Sequence, residues 1–509
     1  MKKYFILYLC IFWVGRMVHA QNYVDSKEEL GYSTLWKDTV RVYTDMYIND
    51  LCISPGTVVL LMDTVGIYVS GSLRAEGTLE KPIRFLVADT TGYTDFSSNA
   101  GGWKGIDISG DRNTDRVSLR YCAFEFVKDR HYRGAVHLNT LHEARVVHCY
   151  FSHNFALEGG AIYADNLDYF LIDSCRFIKN FAVGSGGAVS CKGGSPAIIL
   201  SSYFYDNRMQ LSYFQGYPVL VSGGAISVKD MSSSHPVRIS NCSFFCNRGF
   251  DAVGISRKYV RVNNSIFAGN NSYGMNISTP DPDPLNINSQ TVSNCIFYKN
   301  ERFGLSLDNN KFEKVYNSIF WENNQNPFIS SHEQIRAGFS GEVVYTKFDA
   351  NIVQYGLEDI NLYFTEGVNY TSFPVFMDVD IDSALDSNAI HADFRPLPGG
   401  FEWNKGSTDT VGLHLPLYDL DGNPRMVERI DIGPYEYNNV STPTYNSPFE
   451  MPFYISETGL VMGLKPNESI RIFNMEGKSM NQNSFATFKP GVYIIKSSLN
   501  RTQKVLWLR

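Results

Sequence analysis

The chain has 509 residues, too many for one ordinary compact core, so it calls for several domains or one elongated repeat architecture. Hydrophobic residues make 44% and aromatics 14%, which excludes wholesale disorder. A formal charge of −7 argues against nucleic acid as a partner, because nothing in the balance would neutralise many phosphates.

Residues 1–20 read as a secretory signal peptide: Lys2 and Lys3, an apolar run from Tyr4 to Val14, then Val18-His19-Ala20 as a small-x-small cleavage site. The run is too short to span a bilayer comfortably, and no later segment is apolar for long enough, so no transmembrane segment is expected. An exported chain with an even number of cysteines left after Cys10 would ordinarily suggest disulfides. The repeat described next argues otherwise.

The region from 21 to 350 opens with short strand-like segments, Leu51 to Leu60, Gly71 to Thr78 and Lys81 to Phe85, followed by Gly102-Trp103-Lys104-Gly105-Ile106. A motif then recurs around Cys122, Cys149, Cys175, Ser202, Cys242, Ser265, Cys295 and Ser318. Two residues after each stands Phe, and three residues further Asn in every copy but the first, which has Val127. Three residues before stands an aliphatic residue, from Leu119 to Val315. The position just before is Asn241, Asn264, Asn294 and Asn317 in the later copies, and Tyr121, His148, Ser174 and Ser201 in the earlier ones. Gly-Gly-Ala recurs upstream at Gly159, Gly186 and Gly223.

A period of this size means a solenoid, propeller or array. Cys/Ser and Phe at i and i+2 share one strand face and point inward; the residue between, such as Arg176, points out. The aliphatic residue at −3 would then face the wrong way, so the chain must bend at −1, where Asn tolerates the left-handed conformation. Each repeat thus holds about three short strands, and stacked coils of this kind form a parallel β-helix with Phe, Cys/Ser and Asn in ladders. A four-strand-per-blade propeller would need longer repeats and hairpin turns. Because Ser replaces Cys in the inward slot, that slot asks for a small packing residue and not for a bridge.

With these residues in view, the sequence resembles the right-handed parallel β-helix family of exported bacterial proteins. The resemblance implies an all-β protein: a right-handed parallel β-helix solenoid, then a small C-terminal β-sandwich. Residues 351–439 are similar to the closing coils and cap segment of surface-anchored members, through Asp393-Phe394-Arg395-Pro396-Leu397, Asn404-Lys405-Gly406, Asp419 to Arg425 and Asp431 to Tyr437. Asp419 and Asp421, two carboxylates in a Gly-turn, are the candidate site for calcium, the only cofactor considered. Residues 440–450 read as a linker. Residues 451–509 are similar to the C-terminal sorting domain of the Bacteroidota type IX secretion system, which implies the type IX translocon as a partner and a secreted or outer-membrane location.

No clustered acid-and-base signature stands out on the outward positions, so catalytic residues remain unassigned and the fold alone cannot supply a function. The best candidate surface is the extended turn at 208–222 with its surroundings. Tyr203, Tyr205, Tyr213, Phe214 and Tyr217 would stack on sugar rings, and Asp206, Arg208, Lys229, Asp230 and His235 would hydrogen-bond them. The expectation is a non-catalytic surface protein that binds a polysaccharide or host matrix glycan, in the manner of an adhesin. The alternative is a polysaccharide lyase or glycoside hydrolase working in a groove of the helix.

Overall fold

The structure is a computed structural model. It describes residues 23–25, 34–98, 100–130, 134–193, 195–210, 213–214, 217–218, 222–229, 237–257, 259–278, 290–307, 314–324, 333–338, 344–358, 360–362, 367–426 and 428–437, and the segments 454–455, 461–462, 470–474, 479–480, 491–497 and 502–507. The expected signal peptide and linker lie outside these residues. Two compact units result: Met1–Val87 with Thr91–Val440, and Ala88–Thr90 with Ser441–Arg509.

The first unit is a parallel β-helix. Its coils contribute strands to three columns. The third column is a 12-stranded parallel sheet built from the Cys-x-Phe strands. The first column, from the Gly-Gly-Ala strands, and the second, from the aliphatic strands, merge into one 22-stranded sheet. They merge because two strands, Val136–Val147 and Ile162–Asp173, run through both columns without a break. Among the described residues the only helix is the 3-10 turn Ser387–Ile390.

The inward slots hold what their chemistry requires. Phe85, Phe124, Phe151, Phe177, Phe204, Phe244, Phe267, Phe297 and Phe320 form one stack with ring centroids 4.6 to 5.1 Å apart. Parallel register at the strand spacing fixes that distance, so each ring is held against its neighbour by the backbone ladder. Beside it runs the Asn ladder. The Nδ2 of Asn207, for example, donates to Asn247 Oδ1 at 3.0 Å and to the Phe177 carbonyl at 2.9 Å, while its Oδ1 accepts from Asn180 N and Nδ2. The same arrangement runs from Asn154 to Asn323 and ends on Gln334.

The expected bend is present. Tyr121, His148, Ser174, Ser201, Asn241, Asn264, Asn294 and Asn317 all have φ between 47° and 57°. A second left-handed bend sits just before the ladder Asn, at His153, Lys179, Asp206, Cys246, Lys299 and Glu322, and at Phe126 before Val127. Each such residue costs about 1–2 kcal/mol, which the ladder bonds on either side offset. The paired glycines answer a different need: a Cβ on Gly187 would lie 2.0 Å from the Gly224 carbonyl. None of the eight described cysteines is bridged. In the Cys/Ser slot the sulfur or oxygen accepts the amide of the preceding coil, as Cys175 Sγ does from Cys149 N and Ser202 Oγ from Cys175 N.

The outward position between Cys/Ser and Phe divides the solenoid in two. Arg176 and Tyr203 are half-buried there, but Ile266, Ile296 and Ile319 are 1 to 2% exposed. They are covered by the segment from 376 to 437, whose Ile381, Ala389, Phe394 and Ile432 join them in a second hydrophobic cluster. That segment therefore lies along the flank of the third column. It is fastened to the bend asparagines: Asn264 Nδ2 donates to the Tyr418 carbonyl at 2.9 Å, and Asn294 Nδ2 to the carbonyls of Asp431 and Gly433 at 3.2 and 3.1 Å. Ser407 N donates to Asn317 Oδ1 at 2.6 Å. The change from Tyr, His and Ser to Asn along the repeat thus has a cause: three of the four later bends hold the closing segment by their side chains. Inside the segment Arg425 and Glu436 form a buried pair 2.6 Å apart, and Arg425 also donates to the Asn264 side chain on the same face.

The described strands of the C-terminal unit form a four-stranded antiparallel sheet, 479–480, 470–474, 491–497 and 502–507 in spatial order, and a two-stranded pair, 454–455 with 461–462.

Candidate functional site

Among the described residues expected to bind sugar, Tyr203, Tyr205, Asp206 and Arg208 lie together at the third column and Lys229 lies at another sheet. Tyr203 and Tyr205 lie outward on the third column, but both pack against the cluster under the closing segment, and Tyr203 also meets Phe245 at 5.7 Å and the Arg176 guanidinium at 5.8 Å. Asp206 sits at a left-handed bend with its carboxylate taken up by Arg208 and Arg248, each at 3.0 Å. Arg208 is exposed beyond that pair. Tyr213, Phe214 and Tyr217 belong to a two-stranded hairpin, Tyr213–Phe214 with Tyr217–Pro218, whose side chains are not among those described. Lys229 follows a first-column strand on a different sheet, beside Lys192, Glu158 and Asp251; burial and the Lys192 charge hold its pKa below the ordinary lysine value. Asp230 and His235 lie outside the described residues.

Asp419 is a turn keystone. Its Oδ1 accepts the amides of Asp421 and Asn423 and its Oδ2 accepts those of Glu436 and the Asn423 side chain, at 2.7 to 3.1 Å. Burial and the Asp419 charge push Asp421 up to about 6. Among the described residues no group of three His, Cys, Asp or Glu side chains converges as a metal site would require.

A different surface does gather chemistry. Along the outward positions of the first column, strand register sets Tyr47 beside Tyr68, Tyr68 beside Asp107, Asp107 beside His137, and His137 beside Tyr163. Tyr47 is 77% exposed, and its ring stacks on Tyr68 at 4.9 Å. His137 Nδ1 lies 3.1 Å from Asp107, and its ring meets Tyr163 edge-on at 5.3 Å. Lys104 pairs with Asp45 at 2.8 Å, and Asp45 also accepts the Gly66 amide. Burial, then the Asp45 charge, holds the Tyr68 hydroxyl above its ordinary pKa, so it is a neutral donor at physiological pH. Tyr68, Lys104, Asp107, Asp129 and His137 surround a recess of about 10 Å³, room for one water.

Backbone logic explains the face. The residue after the Gly-Ala-aliphatic run of each coil points out of the solenoid, half-buried at His137 and buried at Tyr163. The sequence holds this signal at His137 and Tyr163, one place after Val136 and Ile162. The inward consensus and the insertions both draw attention away from it.

Comparison with known proteins adds one match: residues 148–165 fit the repeat of the Chlamydia polymorphic membrane protein family. The match spans one corner of a coil, from the His148 bend through Cys149, Phe151 and Asn154 to the Gly-Gly-Ala strand. No curated protein and no solved structure matches the chain. The chain is a parallel β-helix repeat protein, and no helix among its described residues is long and apolar enough to cross a membrane.

Proposed function

We propose that this protein is exported to the cell surface, where it holds a glycan along the flank of its solenoid without turning it over. The observation that carries the reading is the Tyr47–Tyr68 stack, an aromatic platform continued at the strand spacing by Asp107 and the half-buried His137, with Tyr163 buried beyond them. Stacked aromatic faces with a few fixed polar groups suit a sugar chain, and a rigid sheet holds them in place without ordering cost. Asp45, beside the row, is already paired with Lys104, and Asp107 lies 3.1 Å from His137 Nδ1. Export rests on the signal-like residues 1–20 and on the likeness of 451–509 to a type IX sorting domain; the printed name of the matched repeat family, a membrane protein, points to the same place.

A polysaccharide lyase or glycoside hydrolase is the second reading, favoured by the meeting of Lys104, Asp107, Asp129 and His137 at one recess. One experiment separates them. The secreted chain is incubated with a polysaccharide panel while binding, reducing ends and unsaturated uronates are followed. Binding that Y47A/Y68A weakens about tenfold, the worth of a well-packed aromatic contact, with no product above a heat-killed blank, supports the first reading. Product release overturns it.

A further inference from the structure

The second column carries a different row of outward side chains. Strand register places Arg238 directly beside Arg261, Arg261 beside Thr291, Thr291 beside Lys314, and Lys314 beside Lys347. Arg238 is exposed and Arg261 half-buried. Neither guanidinium has an ion pair or hydrogen bond among the described residues. In earlier coils the same sheet alternates its signs: Arg116 opposes Glu143, which also pairs with Arg145. Like charges set directly opposite on neighbouring strands cost stability, so the stacked arginines are not explained by folding, least of all in a chain with an excess of acids.

The closing segment forms a rim beside this row. It runs back along the solenoid from Lys314, whose Nζ donates to the Val411 carbonyl at 2.8 Å, to Asn263, whose side chain donates to the His414 carbonyl at 3.2 Å. Asn263 stands two residues from Arg261 on the same strand face. Val411, Leu417 and Tyr418 of this rim are 74%, 82% and 56% exposed. A cationic floor beside an apolar and aromatic rim matches a chain that is anionic on one edge and has carbon-rich ring faces on the other.

We propose that Arg238 and Arg261 form a binding row for an acidic polysaccharide, one bearing uronate or sulfate groups; Lys314, paired with Asp409 at 3.4 Å, closes the row and is not part of it. A guanidinium suits either anion through paired donors. The rim favours sugar rings over a duplex, whose outer surface offers phosphate and ribose but no accessible flat face. This row lies on a different column from the tyrosine platform and stands or falls separately.

The test uses the full secreted chain against immobilised polygalacturonate, dextran sulfate, neutral dextran and duplex DNA at stepped salt. Both acidic polysaccharides are expected to bind, with affinity falling as salt rises. R238Q/R261Q should weaken that binding about tenfold, the sum of two exposed charge contacts, and reduce the salt slope by about one to two. R238K/R261K keeps the charge and should hold affinity within a few-fold, which guards against a folding defect. K37Q/K81Q, the same charge removed at exposed sites in the first coils, should change it less than twofold. Y47A/Y68A should leave it unchanged, so failure of the platform reading and of this one are distinguishable. Equal loss in R238Q/R261Q and K37Q/K81Q, binding of neutral dextran that depends on the arginines, or duplex DNA bound as tightly as the polysaccharides would each overturn the proposal.

Discussion

Replacing Asn207 by Asp changes one atom pair in the middle of the buried ladder. The native amide makes four bonds, two donated and two accepted, and is fully buried. An ionised carboxylate in its place would still accept from Asn180, but it would turn a second acceptor towards Asn247 Oδ1 and the Phe177 carbonyl. No cation stands among these partners, so the charge must be neutralised by a raised pKa; a rise of two units corresponds to about 2.7 kcal/mol. The sign follows: the folded-state pKa lies above the unfolded one, so the penalty is absent below about pH 4 and grows as pH rises towards neutrality. N207A lacks that titration. It strands the Asn180 amide and one Nδ2 proton, at about 1–3 kcal/mol each, whatever the pH. Urea unfolding followed by circular dichroism at pH 4 and pH 7 reads both. The gap between wild type and N207D should narrow on acidification, while the gap to N207A stays constant. A gap for N207D that does not move with pH, or an N207A as stable as wild type, would refute the ladder's role.

Asn294→Gly, which keeps the left-handed bend unstrained, removes two bonds to the closing segment and should speed proteolysis between 376 and 437 while leaving the melting of the coils nearly unchanged. Burial pushes Asp431 up to about 6 and Glu436 up to about 8, against the pull of Arg425 on both. Their stabilising contribution is therefore complete below about pH 4 and declines as pH rises through 6 and then 8, so hydrogen-exchange protection in that segment, corrected for intrinsic rate, should fall over this range. Burial also pushes the thiols of Cys242 and Cys295 up to about 12, and of the described cysteines only Cys52 is not buried. A thiol reagent should modify Cys52 in the native protein and the rest only after denaturation; fast modification of several would contradict the packing.

The inward half of this fold is legible from sequence because it is local. Phe124 and Cys122 announce their side by a spacing of two, and every coil repeats the statement, so stack, ladder and bend all follow from one consensus. The outward half is not, because neighbours there come from register between coils. Tyr47, Asp107 and His137 share no motif; only strand pairing makes them a row. The closing segment is harder still. Asn294 meets Asp431 across 137 residues, and nothing in the spacing of either says that they touch. Tyr203 and Tyr205 read as open platforms in the sequence for the same reason: what lies over them is distant in the chain.

The isoleucines at 266, 296, 319 and 352 make an oily strip hidden chiefly by residues from 370 onward. During synthesis or passage through a pore from the N-terminus, that strip emerges before its lid. Until the lid, roughly the span from 370 to 437, arrives, the growing solenoid presents a sticky flank, and a chain cut short ahead of the lid is expected to clump side by side instead of staying dispersed.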